Sequence, residues 1–374
     1  MGAYEYKFYS DEDQADQNAY LNFEGVDSCI YLWLNGEFVG FSSVSHVTHE
    51  FDISDYIQSG ENLLQALVFK WSAGSYLEDQ DKFRMSGIFR DVYILYRPET
   101  HIVDYVINHE LNDSLVKAEI QVDLEWNEEA EQSIVDSAII EVVNPRNDEL
   151  IKEFKAGEKI VIENPTLWNA EEPFLYSVHI SYKGEAIRQD LGLRKIDIKG
   201  DTYLINNQNI KIKGTNRHDS DPVTGFYITP EQLLTDLSLM KAHNINAIRT
   251  AHYPNAPWAY EYYSRFGFYV CDEADIEMHG AVELFGSRGW IANPDPETVV
   301  TEVYSYLANL DMFYKNQLER IQRMFYRDRN QSSVVIWSLG NEAGYGPGFE
   351  AAAKWLKEND PSRKIQYESA NYRE

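Results

Sequence analysis

Carboxylates, imidazoles and guanidinium groups recur in this sequence just after short apolar runs. The block SLGNEAG at 338–344 places Asn341 and Glu342 directly after VVIW, with glycine and alanine on both sides leaving space for a ligand. A carboxylic acid so placed suits general acid/base work. Glycosidic cleavage needs one to protonate the leaving oxygen and a second carboxylate across the sugar for attack or water activation. Glu342 could equally cap the helix that follows, and Asn341 could be a turn residue. IEMHG at 276–280 spaces Glu277 and His279 two apart, so an extended backbone turns both the same way. With Glu342 they make a mixed oxygen and nitrogen set for Mg²⁺ or Mn²⁺; solvated loop charges are the plainer reading. Arg217 with His218, Arg249 with His252, and Asp272 with Glu273 follow three further apolar runs. Either histidine could also be a structural donor to a backbone carbonyl. In GSYLEDQDKFRMSGIFRDV (74–92), Glu78, Asp79, Asp81, Arg84 and Arg90 lie among aromatics. They read as surface ion pairs, or as a loop whose Asp81 reaches a neighbouring domain to take sugar hydroxyls in charge-assisted hydrogen bonds.

The elements needed to hold these groups change character along the chain. Residues 1–98 alternate apolar runs with turns, Asn35-Gly36 marking a tight hairpin, and predict a jelly-roll β-sandwich. Residues 99–197 carry further strands at the spacing of an immunoglobulin-like sandwich. From 198 to 374, strand-like runs at 209–214, 246–251, 268–273, 333–339 and 364–369 alternate with helices. Those helices are expected from Thr229-Pro230, around Trp258–Phe266, around Val299–Arg327 and over Phe349–Lys357. Such βα alternation predicts a parallel sheet, open or closed. Four successive strands aim titratable groups at one rim, which favours the first four to five units of a TIM (β/α)8 barrel, whose active sites lie at that rim.

Composition narrows the function classes. In 374 residues, 61 Asp and Glu against 33 Lys and Arg give a net charge of -28, which repels nucleic-acid phosphates and anionic lipid surfaces. The longest apolar runs fall far short of the roughly 20 residues of a membrane span. Cys29 and Cys271 sit in strand-like runs and make no disulfide framework, and the first residues carry no leader pattern; a cytoplasmic location is expected. The 26 Tyr and 8 Trp supply rings that can stack on sugars.

Six segments, YLEDQDKFRMSGIFRDV, GTNRHDSDP, IRTAHYPN, VCDEADIEMHG, RDRNQSSVVIWSLGNEAG and DPSRKIQYE, together resemble the β-galactosidases of glycoside hydrolase family 2. The resemblance covers almost the whole chain. It implies retaining cleavage of terminal β-galactosides such as lactose, a small-molecule carbohydrate partner, and a homo-oligomer or complementing chain in the complete enzyme. It also implies Glu342 as acid/base and Mg²⁺ ligand, Glu277 and His279 as the other metal ligands, and His218 and His252 as transition-state stabilisers. By the same resemblance Asp81 would contact galactose and a Na⁺ ion, Asn341 the sugar hydroxyls, and Arg249 would orient the nucleophile. The family carries that nucleophilic Glu after its seventh barrel strand, whereas Glu368 follows the fifth. The chain is therefore expected to be an interior fragment, inactive alone. A carbohydrate-binding or complementing piece, or a related glycosidase such as a β-glucuronidase, is the alternative.

Overall fold

The structure is a computed structural model that describes residues 1–15, 17–127, 132–135, 137–280 and 305–370. The N-terminal strands form a sandwich. One sheet runs in the order Gly2–Ser10, Gly60–Phe69, Cys29–Leu34, Glu37–Ser43, and the facing one His49–Asp52, Asn18–Phe23, Val92–Arg97. Ile30, Leu32 and Leu34 alternate inward and are fully buried, as one apolar face of a half-buried strand must be. Asn35 and Gly36 turn the hairpin with φ of 53° and 87°, the left-handed values that this two-residue turn requires.

The second body packs a three-stranded sheet (Ile102–Leu111, Lys117–Trp126, Lys159–Glu163) with a four-stranded one built around Ile139–Asn144 and Tyr176–Tyr182. Two of its strands escape the sequence pattern, Glu149–Phe154 and Glu185–Leu191. Both are edges of the four-stranded sheet and are polar at half or more of their positions, so little apolar alternation marks them. Trp168 of this body is fully buried and its indole N–H donates to Ser264 O at 2.9 Å, anchoring it to the third.

The third body is a five-stranded parallel sheet in chain order: β1 (Gly214–Arg217), β2 (Ala247–Thr250), β3 (Tyr269–Glu273), β4 (Val334–Ser338) and β5 (Lys364–Gln366). Its first strand corrects the expectation of a strand over 209–214. Residues 210–213 are irregular and Ile212 is exposed, because a parallel strand is covered on both faces and the alternation Ile-Lys-Ile-Lys cannot be. Helices α1 (Pro230–Ala242), α2 (Ala259–Phe266), α3 (Asp311–Asp328) and α4 (Pro347–Asn359) pack on it. Thr229 and Gln232 form the capping box of α1, and Leu233 and Leu237 are its buried stripe. The helix expected from Val299 falls partly on 299–304, outside the described residues; Ser305–Ala308 is a short helix, and α3 begins after a break at Asn309 and Leu310. Tyr260, Tyr263, Phe268, Val270, Met324, Phe325 and Trp337 form the core between sheet and helices. Among the described residues, no helix is long and apolar enough to cross a membrane.

Candidate active site

All five strands run the same way, so the residues after their C-terminal ends share one rim. After β1 and β2 come His218 and His252, whose rings meet edge to face at 5.4 Å. Burial, His252 and the Lys82 ammonium push His218 down to about 4, so it is a neutral imidazole at pH 7. His252 is no donor to a carbonyl: its Nδ1 meets Glu273 Oε1 at 2.6 Å. Glu273, the last residue of β3, is fully buried and takes three partners at once. Besides His252 it accepts from Arg249 Nε at 2.6 Å and Ser338 Oγ at 2.5 Å. Arg249 also donates through Nη2 to Asn341 Oδ1 at 3.0 Å, so Asn341 is more than a turn residue. Sequence reasoning put Glu273 on the rim but gave it no role; its signal, a carboxylate ending an apolar strand, is common to many structural residues.

Glu342 does not cap the following helix. The N-cap of α4 is Gly346, four residues on. Glu342 adopts a left-handed backbone, φ 36°, and its N–H donates to Glu368 Oε1 at 2.7 Å. Gly340 before it has φ 138°, and a Cβ there would lie 2.7 Å from Ile276 O, so only glycine lets this turn approach the neighbouring segment. That segment is IEMHG. Asn341 N donates to Ile276 O at 2.9 Å, and residues 277 and 341 form a parallel bridge. The turn therefore delivers the Glu342 carboxylate to His279, Nδ1 to Oε2 at 2.5 Å, with Glu277 Oε1 at 4.0 Å from the same nitrogen. Both groups are accessible from solvent, at 39% and 42% side-chain exposure.

The loop from the first body completes the rim. Leu77 O accepts from Glu277 N at 2.8 Å and Asp79 N donates to Glu277 O at 3.1 Å, so the loop pairs with IEMHG like a strand. Asp81, Glu277 and His279 then each offer one ligand atom within 4.8 Å of the others. Asp81 thus stands beside the two residues expected to bind metal as well as at the barrel mouth. Glu78, read as a surface charge, is buried and pairs with Arg320 of α3.

This donor set fits a hard divalent cation: two carboxylates and an imidazole lie together, with a third carboxylate on the imidazole. Glu277 Oε2 is buried with no hydrogen-bond partner, and burial pushes this carboxyl up to about 8. A cation at that oxygen would satisfy it and favour the ionised form.

Comparison with known proteins places the three bodies together. The family models for the sugar-binding domain, the central domain and the TIM barrel domain of glycosyl hydrolases family 2 match residues 1–98, 100–194 and 196–374. The chain belongs to glycosyl hydrolase family 2. Its similarity to a β-galactosidase of Actinobacillus pleuropneumoniae is 46% identity over 367 residues, 94% of this chain and 36% of that protein. A β-galactosidase of Staphylococcus xylosus is 42% identical over 374 residues, all of this chain and 36% of the relative. The chain thus spans about a third of the length of these relatives. Among solved structures, a β-glucuronidase of an uncultured Clostridium species superposes with a TM-score of 0.82 at 21% identity, covering 98% of this chain and 62% of that one. The β-D-glucuronidase of Dictyoglomus thermophilum gives 0.81 at 22%, covering 98% and 64%. These two likenesses establish the fold: the family's sandwich domains followed by the first five strands of a barrel.

Proposed function

We propose that this chain carries the acid/base and cation-binding half of a retaining β-galactosidase that cleaves terminal β-galactosides such as lactose. The observation that carries the reading is the Glu342 turn, which sets a solvent-accessible carboxylic acid against His279 and Glu277 at the C-terminal rim of a family 2 barrel. The 46% and 42% identities to β-galactosidases favour galactosides. The β-glucuronidase likenesses concern fold alone.

In this reading Glu342 protonates the departing oxygen and later accepts a proton from water. Arg249, Asn341 and Glu273 form one hydrogen-bonded unit that orients a sugar hydroxyl at Asn341 and fixes the ring of His252 through Nδ1. His218, kept neutral, can accept as well as donate. Asp81, Glu277, His279 and Glu342 would hold Mg²⁺ or Mn²⁺, which when bound supplies positive charge that keeps Glu277 ionised; a Na⁺ at Asp81 would share that carboxylate. In this scheme Glu368, which follows β5, supports the Glu342 turn by accepting its N–H and is not assigned as the nucleophile. The second carboxylate and any oligomer contacts would come from the rest of the polypeptide or from a complementing chain.

The test is Glu342→Gln in an enzyme carrying this segment. It keeps the shape and removes the proton, so lactose turnover should fall by about 10² to 10⁴. Glycosylation by an activated aryl galactoside should be spared, and azide, which needs no general base, should restore its turnover. Uniform loss on both substrates without azide rescue would remove Glu342 from the acid/base role.

A further inference from the structure

The geometry points to Gln80 as a positioning residue that ties the loop of the sugar-binding domain to the barrel rim and so sets Asp81 against Glu277 and His279. Its consequence for cation binding rests on the cation reading above; its mechanical part does not. Gln80 is buried, and its side-chain amide donates to Asp275 Oδ1 at 2.8 Å and to His252 O at 3.2 Å. One neutral side chain thereby spans the segments that leave β3 and β2. Asp275 is itself a hub, its Oδ2 accepting from His46 N at 3.1 Å and meeting His46 Nδ1 at 2.9 Å.

Asp81 lies immediately after Gln80, nearly 200 residues from its two partners in the chain, so local structure cannot hold it there. Before Gln80 the loop is paired through backbone, Asp79 N to Glu277 O, and Gly280 N donates to the Asp79 carboxylate. After it, Lys82 Nζ lies 3.8 Å from the Tyr253 ring centroid and 2.7 Å from His46 Nε2. Asp81 is therefore strung between two anchored side chains, the Gln80 amide and the Lys82 ammonium. The amide is the more directional restraint, because its two N–H vectors are fixed by a planar group and both reach the barrel, whereas the ammonium protons rotate about the stem and Lys82 meets His46 of its own domain. An amide also suits the site better than glutamate, which would set a second carboxylate against Asp275 in a buried place.

The experiment uses the full 374-residue chain with Gln80→Met, a substitution of similar length and volume that cannot donate. Two readouts are taken: Mn²⁺ titration followed by the electron paramagnetic resonance of free Mn²⁺, and hydrogen exchange of the Asp79 amide. Changing such a supporting group weakens metal binding by about 10- to 100-fold, and the Asp79 amide should exchange about tenfold faster or more, alongside a modest fall in global melting from the donor lost at Asp275. A lower melting temperature with unaltered Mn²⁺ affinity and unaltered Asp79 exchange would show that Gln80 only fills space, and would overturn the assignment. If the unmodified chain binds no Mn²⁺, the cation reading fails by itself. The Asp79 amide then decides alone: faster exchange in Gln80→Met supports the positioning role, and the same rate overturns it.

Discussion

Arg320→Met should be among the most damaging single substitutions outside the catalytic rim. Arg320 is fully buried on α3, with Nη1 2.7 Å from Glu78 Oε1, donating to Asp275 O at 2.7 Å and standing 3.8 Å from Asp275 Oδ2. Glu78 comes from the other domain and is equally inaccessible; without the guanidinium its remaining donors are Ser45 N at 3.1 Å and Ser45 Oγ at 2.6 Å. Removing one member of a buried pair leaves a charge that these two neutral donors compensate only in part, which costs about 3–5 kcal/mol. Methionine replaces most of the volume, so little of that loss is cavity formation. Urea unfolding followed by tryptophan fluorescence gives the single loss, and Glu78→Gln with the double variant closes a cycle. The double variant removes the orphan charge at Glu78 and leaves only Asp275 without the guanidinium, so the two losses should fall short of additivity by about 2 kcal/mol. A loss below about 1 kcal/mol, the scale of a surface pair, would refute the argument, as would strict additivity.

Two further outcomes follow from groups the site does not use directly. His49 is buried, meets Ser42 Oγ at 2.7 Å and Arg323 Nη2 at 3.4 Å, and burial with the Arg323 charge pushes it down from 6.5 to about 3. The unfolded chain takes up a proton below pH 6.5 while the folded chain does not, so stability present above 6.5 is lost as pH falls toward 3. That contribution is about 2 kcal/mol at pH 5, and the fall in urea stability from pH 7 to pH 5 should shrink by that amount in His49→Gln; equal falls would rule it out. Glu368→Ala removes the acceptor of the Glu342 N–H, a charge-assisted bond on the scale of about 1.5–3 kcal/mol, and should cut lactose turnover in a complete enzyme about tenfold or more. Glu368→Gln keeps an acceptor oxygen and should retain most activity, whereas abolition by both variants would make Glu368 the nucleophile.

Much of the architecture is legible because it is local. Asn35-Gly36 needs left-handed backbone wherever it stands, Thr229-Pro230 opens a helix through bonds within four residues, and an apolar strand ending in charge marks a barrel rim without reference to any partner. Glu277, His279, Asn341, Glu342, His218 and His252 are found this way, since each lies in the segment that leaves a strand, and Arg249 is found as the charge near the end of β2 itself. What that reading could not decide is which of these groups meet. That Glu273 collects Arg249, His252 and Ser338, that Glu342 faces His279 instead of capping α4, and that Asp81 joins the same cluster depend on strand order and on two backbone bridges. Arg320 is invisible beforehand, one charged residue in a helix rich in them, and Glu78 looks like surface. Only the docking of the first domain on the barrel removes both from water, and burial, a property of the assembled surfaces, turns an ordinary charge pair into one that the fold cannot lose.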